Sequence, residues 1–163
     1  MKIGLISDTH DNIGNILKAV IEFNDGNTDI VLHAGDFVTP SAIEPFAGVK
    51  LVGVLGNNDV DILGLRSAFE KIDGELKEEF FETTYDGMTF ALYHGTDFSK
   101  RKLLANSGKY DVFIHGHTHR KVFAKVGKTI VINPGTANGW FFGYNASIGI
   151  FDTQTRQIEF INL

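Results

Sequence analysis

Five short apolar runs, each followed within a few residues by a polar motif, set the pattern of the chain up to residue 119. Residues 3–6 lead into Asp8-Thr9-His10, residues 30–32 into Gly35-Asp36, and residues 51–55 into Gly56-Asn57-Asn58-Asp59. Residues 89–93 then lead into His94-Gly95, and residues 112–114 into Gly116-His117-Thr118-His119. Between them, Ile13, Ile16, Leu17, Val20 and Ile21 are spaced as on one helical face. A short helical stretch is predicted from Ser41, with helices over residues 61–69 and 99–106. Strands alternating with helices predict βαβ units and a parallel sheet covered by helices. Beyond residue 119 the rhythm changes. Residues 122–126, 129–132, 147–151 and 157–161 are separated by Gly or polar turns too short for helices, which predicts antiparallel strands. The expected fold class is mixed α/β with two sheets and helices outside, in one domain over residues 1–163.

Ligands of an open α/β sheet bind beyond the carboxyl ends of its strands. Five loops would therefore deliver Asp8, His10, Asp36, Asn57, His94, His117 and His119 to one edge. Taken singly, each motif has an ordinary explanation as a turn or a helix cap. Their order after five successive strands favours a shared site. The chain has no cysteine, which excludes disulfides and thiolate metal sites and leaves nitrogen and oxygen ligands.

The 15 Lys and Arg against 20 Asp and Glu give a formal charge of −5, which argues against a globally basic nucleic-acid binder. The charge is unevenly placed. Residues 70–86 hold seven acids and two lysines, and residues 100–128 hold eight basic residues and one acid. Both read as solvated faces, although the second spans His117 and His119 and would draw anions toward them. No apolar run approaches the roughly 18 residues of a membrane span, and Met1-Lys2-Ile3 runs straight into a strand, so the expected location is cytoplasmic.

From Ile6-Ser7-Asp8-Thr9-His10 through Gly116-His117-Thr118-His119 to Asn133-Pro134-Gly135, the ordered motifs resemble the calcineurin-like metallophosphoesterases, especially their small YfcE-like phosphodiesterase branch. The resemblance implies a four-layer αββα sandwich, two mixed β-sheets flanked by helices, with two divalent metal ions. One ion would take Asp8, His10 and His119, the other Asn57, His94 and His117, and Asp36 would bridge them around a shared hydroxide. Manganese is the first expectation, with nickel, cobalt, iron or zinc also suited to such ligands. The implied reaction is hydrolysis of a small phosphodiester, nucleotide-like ones included, at a site with no cap domain over it. A monoesterase, a nuclease or a non-catalytic scaffold of the same fold are the alternatives, and the complete ligand set favours an enzyme.

Asp36, Asn58 and Asp59 are the candidate catalytic residues. Asn58 stands where many such proteins carry a histidine; it can donate a hydrogen bond to a phosphoryl oxygen but cannot protonate a leaving group. Asp59 resembles an acid that orients a ligand histidine through its far ring nitrogen, with capping of the next helix as the other reading. His33 and His115 read as packed beside the motifs rather than as ligands. Asn12 either caps a helix or reaches a phosphate oxygen. Trp140, Phe141 and Phe142, set between glycines, read either as simple packing or as an exposed patch, a wall of the site or a contact in a homo-oligomer.

Overall fold

A computed structural model of the chain describes residues 1–139 and 143–163, so the loop aromatics Trp140 to Phe142 lie outside the described residues. In the first sheet, β1 (Lys2–Ile6), β2 (Ile30–His33), β3 (Leu51–Gly53) and β4 (Glu75–Leu76) run parallel. Beyond β1 the sheet continues antiparallel through β10 (Ser147–Asp152) and β11 (Gln157–Asn162), in the order β11-β10-β1-β2-β3-β4. In the second sheet, β6 (Met88–Tyr93), β7 (Val112–Ile114) and β9 (Thr129–Asn133) are parallel. Antiparallel edges β5 (Phe80–Tyr85) and β8 (Val122–Val126) complete the order β5-β6-β7-β9-β8.

Strand alternation sorts the apolar side chains into three layers. Ile3 and Leu5 of β1, Ile30 and Leu32 of β2 and Val52 of β3 face Phe90, Leu92, Val112, Ile114 and Ile132 between the sheets. Ile6, Val31 and Leu51 point the other way, onto Ile16, Ala19 and Phe23 of α1 (Ile13–Asp25) and Leu65, Ala68 and Phe69 of α2 (Ile62–Lys71). Ala91, Tyr93, Phe113 and Val131 form the third layer under α3 (Phe98–Asn106), which contributes the half-buried Leu104 and Ala105. These are the four layers of the expected αββα sandwich, the outermost being one short helix with no fully buried residue.

Each helix begins at a side-chain cap. Asn12 Oδ1 accepts from Asn15 N–H at 3.1 Å, Asp61 Oδ1 from Gly64 N–H at 3.0 Å, and Asp97 Oδ1 from Ser99 N–H at 2.7 Å. Asn12 therefore has the capping role of its two readings. The helical stretch at Ser41 is a pair of 3₁₀ turns, Pro40–Ala42 and Glu44–Phe46.

All seven acids of residues 70–86 are exposed, as expected of a solvated face, and the stretch also holds the two strands β4 and β5. β5 alternates Phe81 and Tyr85, packed toward the inter-sheet core, with the exposed Glu82 and Thr84. An edge strand carries charge on its open face, and that charge hid the alternation. The two charged stretches also answer one another: Lys100 pairs with Glu79 at 3.2 Å and Lys109 with Glu82 at 2.6 Å.

Candidate metal centre

The five loops beyond β1, β2, β3, β6 and β7 meet at one end of the sandwich, and their backbones are tied together there. Asp8 N–H donates to Gly35 O at 3.0 Å, His10 N–H to Asp36 O at 3.1 Å, and Gly116 N–H to His94 O at 2.8 Å. Close approach is enforced by glycine. A Cβ on Gly56 would run into the Asp36 carboxylate and lie 2.5 Å from Asp36 N, and one on Gly116 would meet Ser7 Oγ and come within 2.6 Å of Asp8 Oδ2.

Local strain marks the same loops. Asp8, His10, Asp36, His117 and His119 all hold positive φ, from 41° to 62°, a region that L-residues seldom occupy. Such conformations cost of order 1–3 kcal/mol each and persist where the surroundings over-determine them. For Asp8 those surroundings are explicit. Its Oδ2 accepts from Ser7 Oγ at 2.6 Å and His117 N–H at 3.1 Å, while its carbonyl accepts from Asn138 N–H at 3.1 Å and Thr136 Oγ1 at 2.9 Å.

Two groups of close ligand atoms result among the described residues. Asp8, His10 and His119 form one, and Asp8, Asp36 and His94 the other, with atoms in each group within 4.8 Å of one another. Asp8 is common to both groups, and Asp36 of the second also reaches toward the first: its Oδ2 lies 3.4 Å from His94 Nε2 and 3.6 Å from His10 Nε2. Asn57 Oδ1 approaches His94 Nε2 at 3.1 Å, and the His117 ring sits 5.2 Å from that of His94. All seven sequence-predicted positions therefore converge.

Asn58, at the exposed rim, and the buried Asp59 both support this centre. Asn58 donates twice to Asp36, from its backbone N–H to Oδ1 at 2.9 Å and from Nδ2 to Oδ2 at 2.7 Å. Burial alone would raise the Asp36 carboxyl, but His94 and the Asn58 donors outweigh it and hold the group well below the usual carboxylate range. Asp59 accepts from the backbone N–H groups of Asp36 at 2.9 Å, Val38 at 2.8 Å and Gly56 at 2.7 Å. Its hydrogen bonds thus fix the loops that carry Asp36 and Asn57 rather than a histidine ring, and the cap of α2 is Asp61. His94 instead donates from Nδ1 to the Ala34 carbonyl at 2.7 Å.

The donor set fits divalent cations. With Nδ1 donating, His94 Nε2 faces the oxygens Asn57 Oδ1 and Asp36 Oδ2, an arrangement that calls for a positive charge there, a proton or a metal ion. Asp8 Oδ1 is likewise buried and faces His119 Nε2 at 3.2 Å. Asp8 and Asp36 raise the proton affinity of His94 against its burial, so the pocket favours a cation whatever its kind.

His33 and His115 stay outside both groups. His33 Nδ1 accepts from Gly35 N–H at 3.1 Å, its Nε2 meets Thr9 Oγ1 at 3.3 Å, and its ring packs on Phe37. Sequence reasoning assigned no role to Asn133, yet this buried amide donates to Gly116 O at 2.9 Å and Thr118 Oγ1 at 3.0 Å and so braces the last motif. Its place in Asn133-Pro134-Gly135 was the available signal.

Residues 1–156 match the family model described as the calcineurin-like phosphoesterase superfamily domain. Phosphodiesterase MJ0936 of Methanocaldococcus jannaschii is 39% identical over 100% of this chain and 99% of the relative. A probable metallophosphoesterase of Methanothermobacter thermautotrophicus is 28% identical over 83% of this chain and 77% of its own length. Among solved structures, an archaeal phosphodiesterase superposes with a TM-score of 0.94 at 38% identity, both chains covered in full. The E. coli phosphoesterase YfcE superposes at 0.73 with 18% identity, over 99% of this chain and 98% of its own, and so shares the fold.

Proposed function

Because the chain belongs to the calcineurin-like phosphoesterase superfamily, we propose that it is a phosphodiesterase that works with two divalent ions joined by Asp36. The observation that carries this reading is the position of Asp36 Oδ2, within 3.6 Å of His10 Nε2 of one group of ligand-type atoms and 3.4 Å of His94 Nε2 of the other, the two groups sharing Asp8. Asp8, His10 and His119 would hold one ion, and Asn57, His94 and His117 the other. Two such ions, when bound, would polarise the phosphoryl group and ionise a water at neutral pH. Nitrogen and oxygen donors without sulfur suit manganese, nickel, cobalt, iron or zinc, and manganese is the first to be tested.

The protein's own part is positioning. Asn58 keeps Asp36 ionised and aimed, and Asp59 holds the peptide groups of Asp36 and Gly56 in register. The ions would supply hydroxide at phosphorus, where a new P–O bond would form as one ester P–O bond breaks, giving a monoester and an alkoxide that takes its proton from water to leave as the alcohol. Asn58, at the exposed rim of the site, can donate to a phosphoryl oxygen, but no proton passes from it to the leaving oxygen. Leaving groups that need little protonation are therefore favoured. Exposure of Asn57 and Asn58 leaves room for both substituents of a diester. The name of the 39% identical relative, a phosphodiesterase, supports the same substrate class.

The test is hydrolysis of bis-p-nitrophenyl phosphate beside p-nitrophenyl phosphate by protein loaded with Mn, Ni or Co. Turnover of the diester, abolished by Asp36→Ala, is the expected result. No diester turnover with any of the three metals, or undiminished turnover in Asp36→Ala, overturns the proposal.

A further inference from the structure

The acidic stretch neutralises Lys100 and Lys109 of the eight basic residues in 100–128, and two of the remaining six are arginines beside the site. Among the described residues, no carboxylate lies within ion-pair distance of Arg101 or Arg120. Both line one cleft of about 620 Å³, together with His117, Thr118, His119 and Tyr144. That volume falls within the range of roughly 300–1,000 Å³ typical of small-ligand sites. The cleft therefore opens directly from two of the proposed metal ligands.

Each guanidinium is held by an aromatic ring in a way that leaves donors free. Arg120 Nε donates to Tyr144 Oη at 2.8 Å and its guanidinium lies 5.8 Å from that ring's centroid, which leaves both terminal nitrogens available. Arg101 lies 5.4 Å from the centroid of the Phe98 ring and spends none of its N–H groups on a described residue. A planar guanidinium, pre-positioned in this way, binds a phosphate through paired N–H···O contacts at little entropic cost. A phosphodiester carries one negative charge, and the metal centre already meets it. Two further unpaired guanidiniums exceed that need.

We propose that this cleft is a subsite for a second phosphate, and that the preferred substrates are small, nucleotide-type phosphodiesters bearing an additional terminal phosphate. The inference rests on the phosphodiesterase reading of the adjacent centre. Arg101 and Arg120 are its specificity-determining residues.

A matched pair of substrates tests it: thymidine 5′-(p-nitrophenyl phosphate) and the same ester carrying a 3′-phosphate. Leaving group and scissile bond are identical in the two. The 3′-phosphorylated ester is expected to show a kcat/KM at least about tenfold higher, a difference of about 1.4 kcal/mol. In the Arg101→Gln/Arg120→Gln protein the ratio should fall to within about twofold of unity, since the charge and fork of both side chains are gone. Calorimetry gives a readout apart from turnover. Thymidine 3′,5′-bisphosphate should bind the parent at least about tenfold more tightly than the variant, while thymidine 5′-monophosphate loses less. Equal kcat/KM values in the parent overturn the inference, as does a preference that survives in a folded double variant, or faster cleavage of a short oligothymidylate. If the double variant does not fold, the comparison within the parent still decides. If neither ester is hydrolysed, the phosphodiesterase reading fails, and the calorimetry alone decides the subsite.

Discussion

Asp8, His10, Asp36, His117 and His119 share a property that their identities do not announce: left-handed backbone at every one. The residue types were legible because Asp and His after strand ends are metal chemistry, whereas the conformations arise only when five loops hydrogen-bond to one another. His33 shows the same limit. Its burial was readable from the apolar run around it, but its tautomer was not. Gly35 N–H donating to Nδ1 requires an unprotonated nitrogen there, so the ring is neutral, with its proton on Nε2 toward Thr9. Burial, and then the neighbouring charge of His94, push the His33 pKa well below its usual value. A histidine whose folded pKa is depressed adds stability that is fully present above the unfolded value of about 6.5 and is lost as pH falls below it. Urea midpoints taken from pH 7.5 to pH 5 should therefore drop more steeply for the parent than for His33→Gln; parallel declines would contradict this. At Asn58 the prediction concerns leaving groups. Asn58→His should raise kcat/KM for alkyl phosphodiesters more than for aryl ones, because only the former wait for a proton; an equal effect on both would defeat the idea.

At the scale of elements, the strands that carry motifs were readable, as were β8 to β11, whereas β4 and β5 were not. β1, β2, β3, β6 and β7 are apolar on both faces because both are covered, so they appear as unbroken hydrophobic runs. β4 is two residues long and β5 is a charged edge, and neither leaves such a run. Asp59 and Asp61, two residues apart, divide the work at the junction of β3 and α2. Asp61 caps the helix, so Asp61→Ala should cost about 1 kcal/mol of stability, seen in urea unfolding, with metal affinity unchanged. Asp59 instead holds three backbone N–H groups of the ligand loops. Asp59→Asn should lower metal affinity roughly 10- to 100-fold, as loss of a partner behind a ligand commonly does. Isothermal titration with Mn of both variants separates the two roles, and the same affinity loss in each would contradict the division.

Across the whole molecule, three apolar layers support the fold without help from the metal centre, which sits at their edge. The metal-free protein should therefore fold, and the ions should add to it by mass action. At a free-metal concentration near 100 times Kd, each site adds about 2.7 kcal/mol, and for a domain of this size each kcal/mol raises Tm by roughly 2–4 °C. Melting with Mn and then with excess EDTA should differ accordingly, and Asp36→Ala should lose most of the difference. The charge balance also changes meaning at this scale. Its acidic excess lies in residues 70–86, partly matched across the fold by Lys100 and Lys109, so it was no guide to a cationic partner. The central claim, a pair of cations joined by Asp36, is tested most directly by anomalous scattering from crystals grown with Mn. Two peaks roughly 3.5–4 Å apart on either side of the Asp36 carboxylate are predicted; a single peak, or none beside Asp36, would contradict the account.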